Sequence, residues 1–284
     1  MKILNFCWRL NLILCLSCFP LAFAAINQVN AHQGTAVTCP RLWNSVTVDG
    51  RWTDNDEWSD SSETSMFAYP KKGQFPAEAY FRTKHDDQYL YLLWDFPTDT
   101  ALGFNTGTGY GDEAYMIVDP KNDGSLAPKN DDFIVLLKWL KGGKFEISKS
   151  DYDGERWRSA YAEAILGNSS LSQSAYSSKP HAIYECAIPM EYFLNLTTVG
   201  FASFVYDSQK APYTEMLYPN EFDYNAPRSW ADLTFSSIVI PEFPTGFTSV
   251  ILGIGTCVAV LLVGLTRRIH SRPTICRFWF DRCS

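Results

Sequence analysis

Apolar residues in this chain come in short runs, each closed by turn-forming residues, and that rhythm constrains the fold more than any other feature. Examples are "AEAYFRTK" (77–84), "YLYLLWDF" (89–96), "EAYMIVD" (113–119) and "FIVLLKW" (133–139). Further along come "KFEISK", "AYAEAIL", "AIYECAIP" and "VGFASFVYD". Most are five to eight residues long and rich in aromatic and β-branched side chains, with Gly, Pro, Asn, Asp or Ser between them. That pattern predicts an all-β chain, an antiparallel β-sandwich of jelly-roll-like type. Alternation in "AEAYFRTK" and "KFEISK" predicts one wet face each, whereas "YLYLLWDF" and "FIVLLKW" are apolar at nearly every position and belong in the middle of a sheet. Helical content is small: "TDNDEWSDS" predicts a short helix capped by Thr53 or Asp54, and "PMEYFL" one turn after Pro189. Residues 38–238 hold all of these runs without a linker or internal repeat, and their length suits one core.

The two ends of the chain read differently. "MKILNFCWRLNLILCLSCFPLAFAAINQ" joins Lys2 and Arg9 to an apolar run and then to small residues at Ala22 and Ala24, the pattern that a signal peptidase reads. The run is short of the ~20 residues that span a bilayer, and Pro20 interrupts it. Residues 1–24 are therefore read as a secretory signal peptide. "TGFTSVILGIGTCVAVLLVGL" (245–265) has no charged residue and is followed at once by Arg267, Arg268 and Arg272. Its length and the basic stop predict a transmembrane helix over 247–266 and a basic cytoplasmic tail over 267–284. Two prolines in "IPEFPTG" make 239–246 a stiff linker. The expected location is the cell membrane, single-pass, with the N-terminal domain extracellular.

Charge and cysteine use agree with that partition. Once signal and tail are set aside, 17 Lys and Arg face 30 Asp and Glu. So acidic a surface repels phosphate backbones and excludes nucleic acid as a partner, while it suits divalent cations. Of the eight cysteines, Cys39 and Cys186 alone fall in the exterior domain, where an oxidising compartment predicts one disulfide between them. The sequons "NSS" at Asn168 and "NLT" at Asn195 are expected glycosylation sites.

The order of segments resembles the family 9 carbohydrate-binding modules. The carrying residues are "VDG" (48–50), "EW" (57–58), "DQYLY" (87–91), "DEAYMIVD" (112–119) and "YECAIP" (184–189). The resemblance implies a β-sandwich that binds polysaccharide or surface glycan without catalysis, usually with bound calcium. Sugar binding needs flat aromatic faces ringed by polar groups. Trp58, Trp94 and Trp230 fall at core-like places, which leaves Trp139 and Trp157 as the expected carbohydrate platforms. The "PEFP" before an apolar span and an Arg pair is similar to the C-terminal anchoring segments of archaeal surface proteins.

The loop "VDPKNDGSLAPKNDD" (118–132) offers Asp119, Asn122, Asp123, Asp131 and Asp132 as ligands for a structural calcium ion, which takes six to eight oxygens. The competing expectation is a long turn whose Asp and Asn side chains cap their own backbone. No nucleophile elbow or zinc-ligand cluster stands out, so the chain is read as a non-enzyme. Two other functions compete with sugar binding. One is a haem-binding electron-transfer domain of the ethylbenzene-dehydrogenase type, ligated by Met116, Met190 or Met216 with His85 or His181. The other is a surface-layer component without a small ligand.

Overall fold

A computed structural model of the chain describes residues 32, 35–54, 56–68, 78–194, 196–209 and 214–239. The expected signal peptide, the transmembrane helix, the tail and nearly all of the linker lie outside them, as does Asn195. No helix among the described residues is long and apolar enough to cross a membrane.

Sixteen strands form among the described residues. The first are β1 (Val37–Arg41), β2 (Ser62–Ser65), β3 (Phe67–Ala68), β4 (Tyr80–His85) and β5 (Tyr89–Phe96). A small hairpin, β6 (Phe104–Asn105) and β7 (Tyr110–Gly111), precedes β8 (Glu113–Asp119) and β9 (Phe133–Leu140). Then come β10 (Lys144–Tyr152), β11 (Trp157–Ala160), β12 (Leu166–Ser172) and β13 (His181–Pro189). The last are β14 (Thr198–Asp207), β15 (Thr214–Tyr218) and β16 (Ala231–Val239). Two 3-10 turns, Met190–Phe193 and Pro227–Ser229, are the helical content among the described residues. The first follows Pro189, whose fixed φ suits a helix start, as the sequence predicts. The helix expected over "TDNDEWSDS" is instead a capped turn: Asp54 Oδ1 accepts from the amides of Asp56 and Glu57, and the chain then turns at Trp58.

Fourteen strands make one sheet, in the order β11–β10–β9–β8–β14–β16–β1–β4–β5–β13–β12. β15 extends β14 where β16 leaves it, β3 pairs with β15, and β2 pairs with β4. The sheet folds over on itself. Trp94 Nε1 on β5 donates to Ser203 Oγ on β14 at 2.6 Å. The rings of Phe81 on β4 and Phe201 on β14 stack with centroids 5.8 Å apart. Gly167 on β12 lies so near Ile147 on β10 and Leu137 on β9 that a Cβ would sit 3.1 and 3.2 Å from them. The result is the sandwich-like arrangement the sequence predicts, reached by one curled sheet. Its departure from an all-antiparallel plan is β1, which runs parallel to both β16 and β4. The pairing of β1 with β16 shifts register between Cys39 and Arg41, where Pro40 lacks the N–H a regular ladder needs, and Arg41 pairs with both neighbours.

The main core lies between the layers and includes Phe81, Leu92, Trp94, Met116, Val135, Leu137, Tyr184 and Phe201. Both outer faces are covered as well. Segment 219–230 lays Trp230, Phe222 and Tyr224 over Ile117, Ile134 and Ala202, while the early segment lays Trp58, Trp52 and Val46 over Leu93 and Ile183. Central strands are therefore buried on both sides, which explains why β5, β13 and β14 read as nearly continuous apolar runs. Trp58, Trp94 and Trp230 are the three largest fully buried side chains.

One glutamate joins the segments "VDG", "EW" and "YECAIP". Glu185, fully buried on β13, accepts from Trp58 Nε1 at 2.9 Å and from the amides of Asp49 and Gly50 at 2.9 and 2.8 Å. Gly50 is required there: its φ is +75°, and a Cβ would lie 2.6 Å from the backbone of Ser169.

The expected disulfide does not form. Cys39 and Cys186 are both free and buried. They lie on β1 and β13 with β4 and β5 between them. Three strand spacings amount to about 14 Å, whereas a bridge needs Cα atoms within roughly 7 Å. Reductant is accordingly expected to leave the thermal unfolding midpoint unchanged. A bridge closing so long a loop would contribute about 5 kcal/mol, so its loss could not be missed.

Candidate cation loop and aromatic rim

β8 ends at Asp119, and the chain turns back over itself before β9 begins at Phe133. Asp119 Oδ2 accepts from the amides of Asp123 and Gly124 at 2.9 and 3.1 Å, so one oxygen caps the turn. Asn122 takes φ +53°, a left-handed conformation that Asn tolerates. Asp132 Oδ2 likewise accepts from the amide of Lys129 at 2.9 Å. Oxygens of Asp119, Asp131 and Asp132 converge, with ligand atoms all within 4.8 Å of one another. Asp119 Oδ1, Asn122 Oδ1 and Asp131 Oδ2 are buried without a hydrogen-bond partner. Asp123 leaves the set, because it turns outward to Lys129 at 2.7 Å, and Lys121 caps the outer oxygen of Asp131 at 3.1 Å. The turn expectation is met, since Asp119 and Asp132 cap backbone amides, while oxygens of Asp119, Asp131 and Asp132 converge beside the turn.

Burial pushes Asp132 up to about 7, and the neighbouring charges of Asp119, Asp131 and Asp123 add to the rise. For Asp119 burial also acts upward, but His32 and the amides of Gly124 and Asp123 outweigh it and hold the carboxyl below its ordinary range. His32 is a partner that sequence reasoning left aside. Its Nε2 lies 3.4 Å from Asp119 Oδ2, and its Nδ1 lies 2.7 Å from Asp232 Oδ1 on β16. Gly200 makes room for it, since a Cβ there would come within 2.2 Å of the imidazole.

The other end of β8 carries an aromatic feature. The β6–β7 hairpin is closed by Asn105, whose side-chain oxygen accepts from the amides of Gly107 and Thr108. Gly111 lets the hairpin press on β9, for a Cβ there would lie 1.6 Å from the carbonyl oxygen of Trp139. Tyr110 is thereby held out into solvent, 55% exposed, with Tyr206 edge-on beneath it at 6.4 Å. Asn105 and Gln209 gather around Ser208, and the Glu113–Lys138 pair lies beside Tyr206 in register across β8 and β9. A flat ring bordered by amides and charges has the chemistry to stack on a pyranose and bond its hydroxyls. The sequence carried a signal for it in "GTGYGD", an aromatic residue among glycines in a turn.

The two expected platforms do not meet. Trp139 faces the interior, packs on the main core and donates to Ser169 Oγ at 3.4 Å. Trp157 packs against Tyr152 and Tyr224 over the outer face of the same layer. Strand alternation puts the two on opposite sides of one layer, each half-buried, so they form no joint sugar face. Of the residues expected to ligate haem, Met190 is partly buried against the main core. Met116 and Met216 are core residues, and both ring nitrogens of His85 and of His181 are engaged. Asn168 is exposed on β12.

No protein-family model matches the chain, and no curated protein matches it. Solved structures do. A family 9 carbohydrate-binding module from Caldicellulosiruptor kristjanssonii, in complex with glucose, superposes with a TM-score of 0.51 at 15% identity. The same organism's family 9 module in complex with cellotriose gives 0.50 at 16% identity. Each match covers 73% of this chain and 100% of the other. At such identity the likeness establishes the fold: this chain is built on the β-sandwich plan of the family 9 modules.

Proposed function

We propose that this chain is a non-catalytic, membrane-anchored extracellular module that binds carbohydrate, with a structural calcium ion in the 119–132 loop. The observation that carries the sugar reading is the Tyr110 rim: an exposed ring, backed by Tyr206 and bordered by Asn105, Gln209 and the Glu113–Lys138 pair. The shared fold supports it, since the two neighbours hold glucose and cellotriose. Surface location and anchoring rest on the N-terminal apolar run and on the uncharged segment followed by arginines.

Calcium is supported by donor chemistry. Buried oxygens normally find hydrogen-bond partners, and three unpartnered ones in a loop where Asp119, Asp131 and Asp132 converge suit a hard cation. Asp119, Asn122, Asp131 and Asp132 would hold it. The ion would neutralise their charge and brace the turn between β8 and β9.

Binding of cellotriose to the full chain, measured by calorimetry, tests the sugar reading. Tyr110→Ala is expected to weaken binding about tenfold or more by removing the stacking face. An exposed residue of this kind leaves stability within about 0.5 kcal/mol. If the wild-type chain is retained by no polysaccharide with calcium present, the sugar reading fails in favour of a surface scaffold.

A further inference from the structure

β16 is the strand that leads toward the expected membrane span, and it leaves the sheet at the end where β1 and β4 finish and β14 begins. The register fixes this: Val239 pairs with Arg41, Arg41 with His85, and Thr234 with Thr198. Seven residues, 240–246, separate Val239 from the apolar segment that starts at 247. Fully extended they reach about 25 Å, so the anchored reading keeps this end of the domain close to lipid.

Exposed apolar side chains gather at the same end. Trp43, two residues beyond β1, is 70% exposed. Leu194 and Leu196, in the connection that enters β14, are 50% and 41% exposed. β1 and β14 are the two strands that flank β16, so these three residues bracket the point where the chain departs. Leu126 in the β8–β9 loop and Leu166 at the start of β12 are exposed at this end too. At the opposite end the exposed counterparts are Tyr110 and Leu171. Single exposed apolar side chains are ordinary, whereas a set gathered at one end marks a surface that meets something.

The residue types say what is met. Tryptophan favours the boundary between membrane and water, where its ring lies at headgroup level, and leucine enters the adjoining acyl region. Arg41, Lys121 and Lys129 are each matched by an acid: Asp87 at 2.6 Å, Asp131 at 3.1 Å and Asp123 at 2.7 Å. That matching cancels their attraction to anionic headgroups and suits a zwitterionic surface.

We propose, resting on the anchored reading above, that this end of the sandwich sits on a zwitterionic lipid surface, with Trp43, Leu194 and Leu196 in its interface. The pose points the Tyr110 hairpin, at the far end of β8, away from the bilayer. It also requires the sequon residue Asn195 to stay bare, because a bulky, solubilising glycan between Leu194 and Leu196 would hold this end off the lipid.

Tryptophan emission of the full chain in phosphatidylcholine vesicles, with and without brominated acyl chains, tests the pose. Wild type is expected to lose more emission to bromine than Trp43→Phe does, the difference being that of Trp43. Leu194→Trp is expected to add emission that bromine quenches, and Leu171→Trp, at the opposite end, to add emission that it does not. Resistance to alkaline carbonate extraction reads the anchor separately. If the chain resists extraction, yet wild type and Trp43→Phe are quenched alike and Leu194→Trp adds only unquenched emission, the pose is overturned and the anchor stands. If carbonate strips the chain from the vesicles, the anchor falls and the pose with it. A glycan found on Asn195 by mass spectrometry, or an unquenched Trp43 in a chain that cross-links as a dimer, overturns the pose as well, in favour of solvent or of a second copy.

Discussion

Glu185→Ala is expected to lower the stability of the domain by about 3–5 kcal/mol, because three buried donors lose their acceptor at about 1–3 kcal/mol each. Truncation leaves Trp58 Nε1 and the amides of Asp49 and Gly50 facing an apolar void. It also releases the segment that carries Trp58 over Leu93 and Ile183, so the outer face of that layer is uncovered. Glu185→Gln keeps the volume and one acceptor oxygen, but its amide N–H₂ meets donors, so an intermediate loss of about 1–2 kcal/mol is expected. Urea unfolding midpoints check both. A loss within 0.5 kcal/mol for the alanine variant, the scale of an ordinary surface change, would show that the glutamate does not hold this junction.

The second large effect concerns pH and calcium together. Without calcium, stability is expected to fall as pH rises from about 5 to about 8. Burial drives each of three acids upward: Glu185 to about 8, Asp132 to about 7 and Asp112 to about 6. Between its unfolded pKa, near 4, and those values each acid holds a proton in the folded chain that the unfolded chain has released. The folded state then binds more protons, and stability declines with pH. His32 and His181 act with the same sign. Burial lowers both, but Asp119 and Asp232 outweigh it for His32, and Asp95 outweighs it for His181, so both pKa values rise. Their stabilisation is complete below the unfolded value near 6.5 and is lost as pH passes the folded value. Together the groups make a decline on the order of a few kcal/mol. Calcium in the loop requires Asp132 ionised, so binding releases a proton and tightens as pH rises through about 7. Calcium at a hundred times its dissociation constant adds about 2.7 kcal/mol. The gap between melting curves with calcium and with chelator should therefore be small at pH 5 and large at pH 8. An equal gap at both pH values, or none, would sink the calcium reading of the loop.

Much of the fold was legible in the residues. "YLYLLWDF" and "FIVLLKW" are paired on both sides, as β5 and β9, because only a strand covered on both faces can be apolar at nearly every position. Pro189 starts a 3-10 turn, and Trp58, Trp94 and Trp230 are interior. These features depend on a residue and its near neighbours. The acid content of the 118–132 loop was legible for the same reason. Which of its oxygens converge was not, because the Asp123–Lys129 ion pair exists only once the loop has closed.

Strand content, the apolar period of each run and the identity of the largest core residues were thus dictated locally, by the two-residue repeat of a strand and the turn chemistry between runs. Pairing order was decided by the tertiary structure. It put Trp139 and Trp157 on opposite faces and kept Cys39 from Cys186 by two strands. It also brought Asp99, Asp112 and Asp207 together, and lifted Tyr110 into solvent. The reason is that a side chain's local pattern fixes which way it points from its own strand. What it then meets depends on contacts between residues up to two hundred positions apart, such as His32 and Asp232.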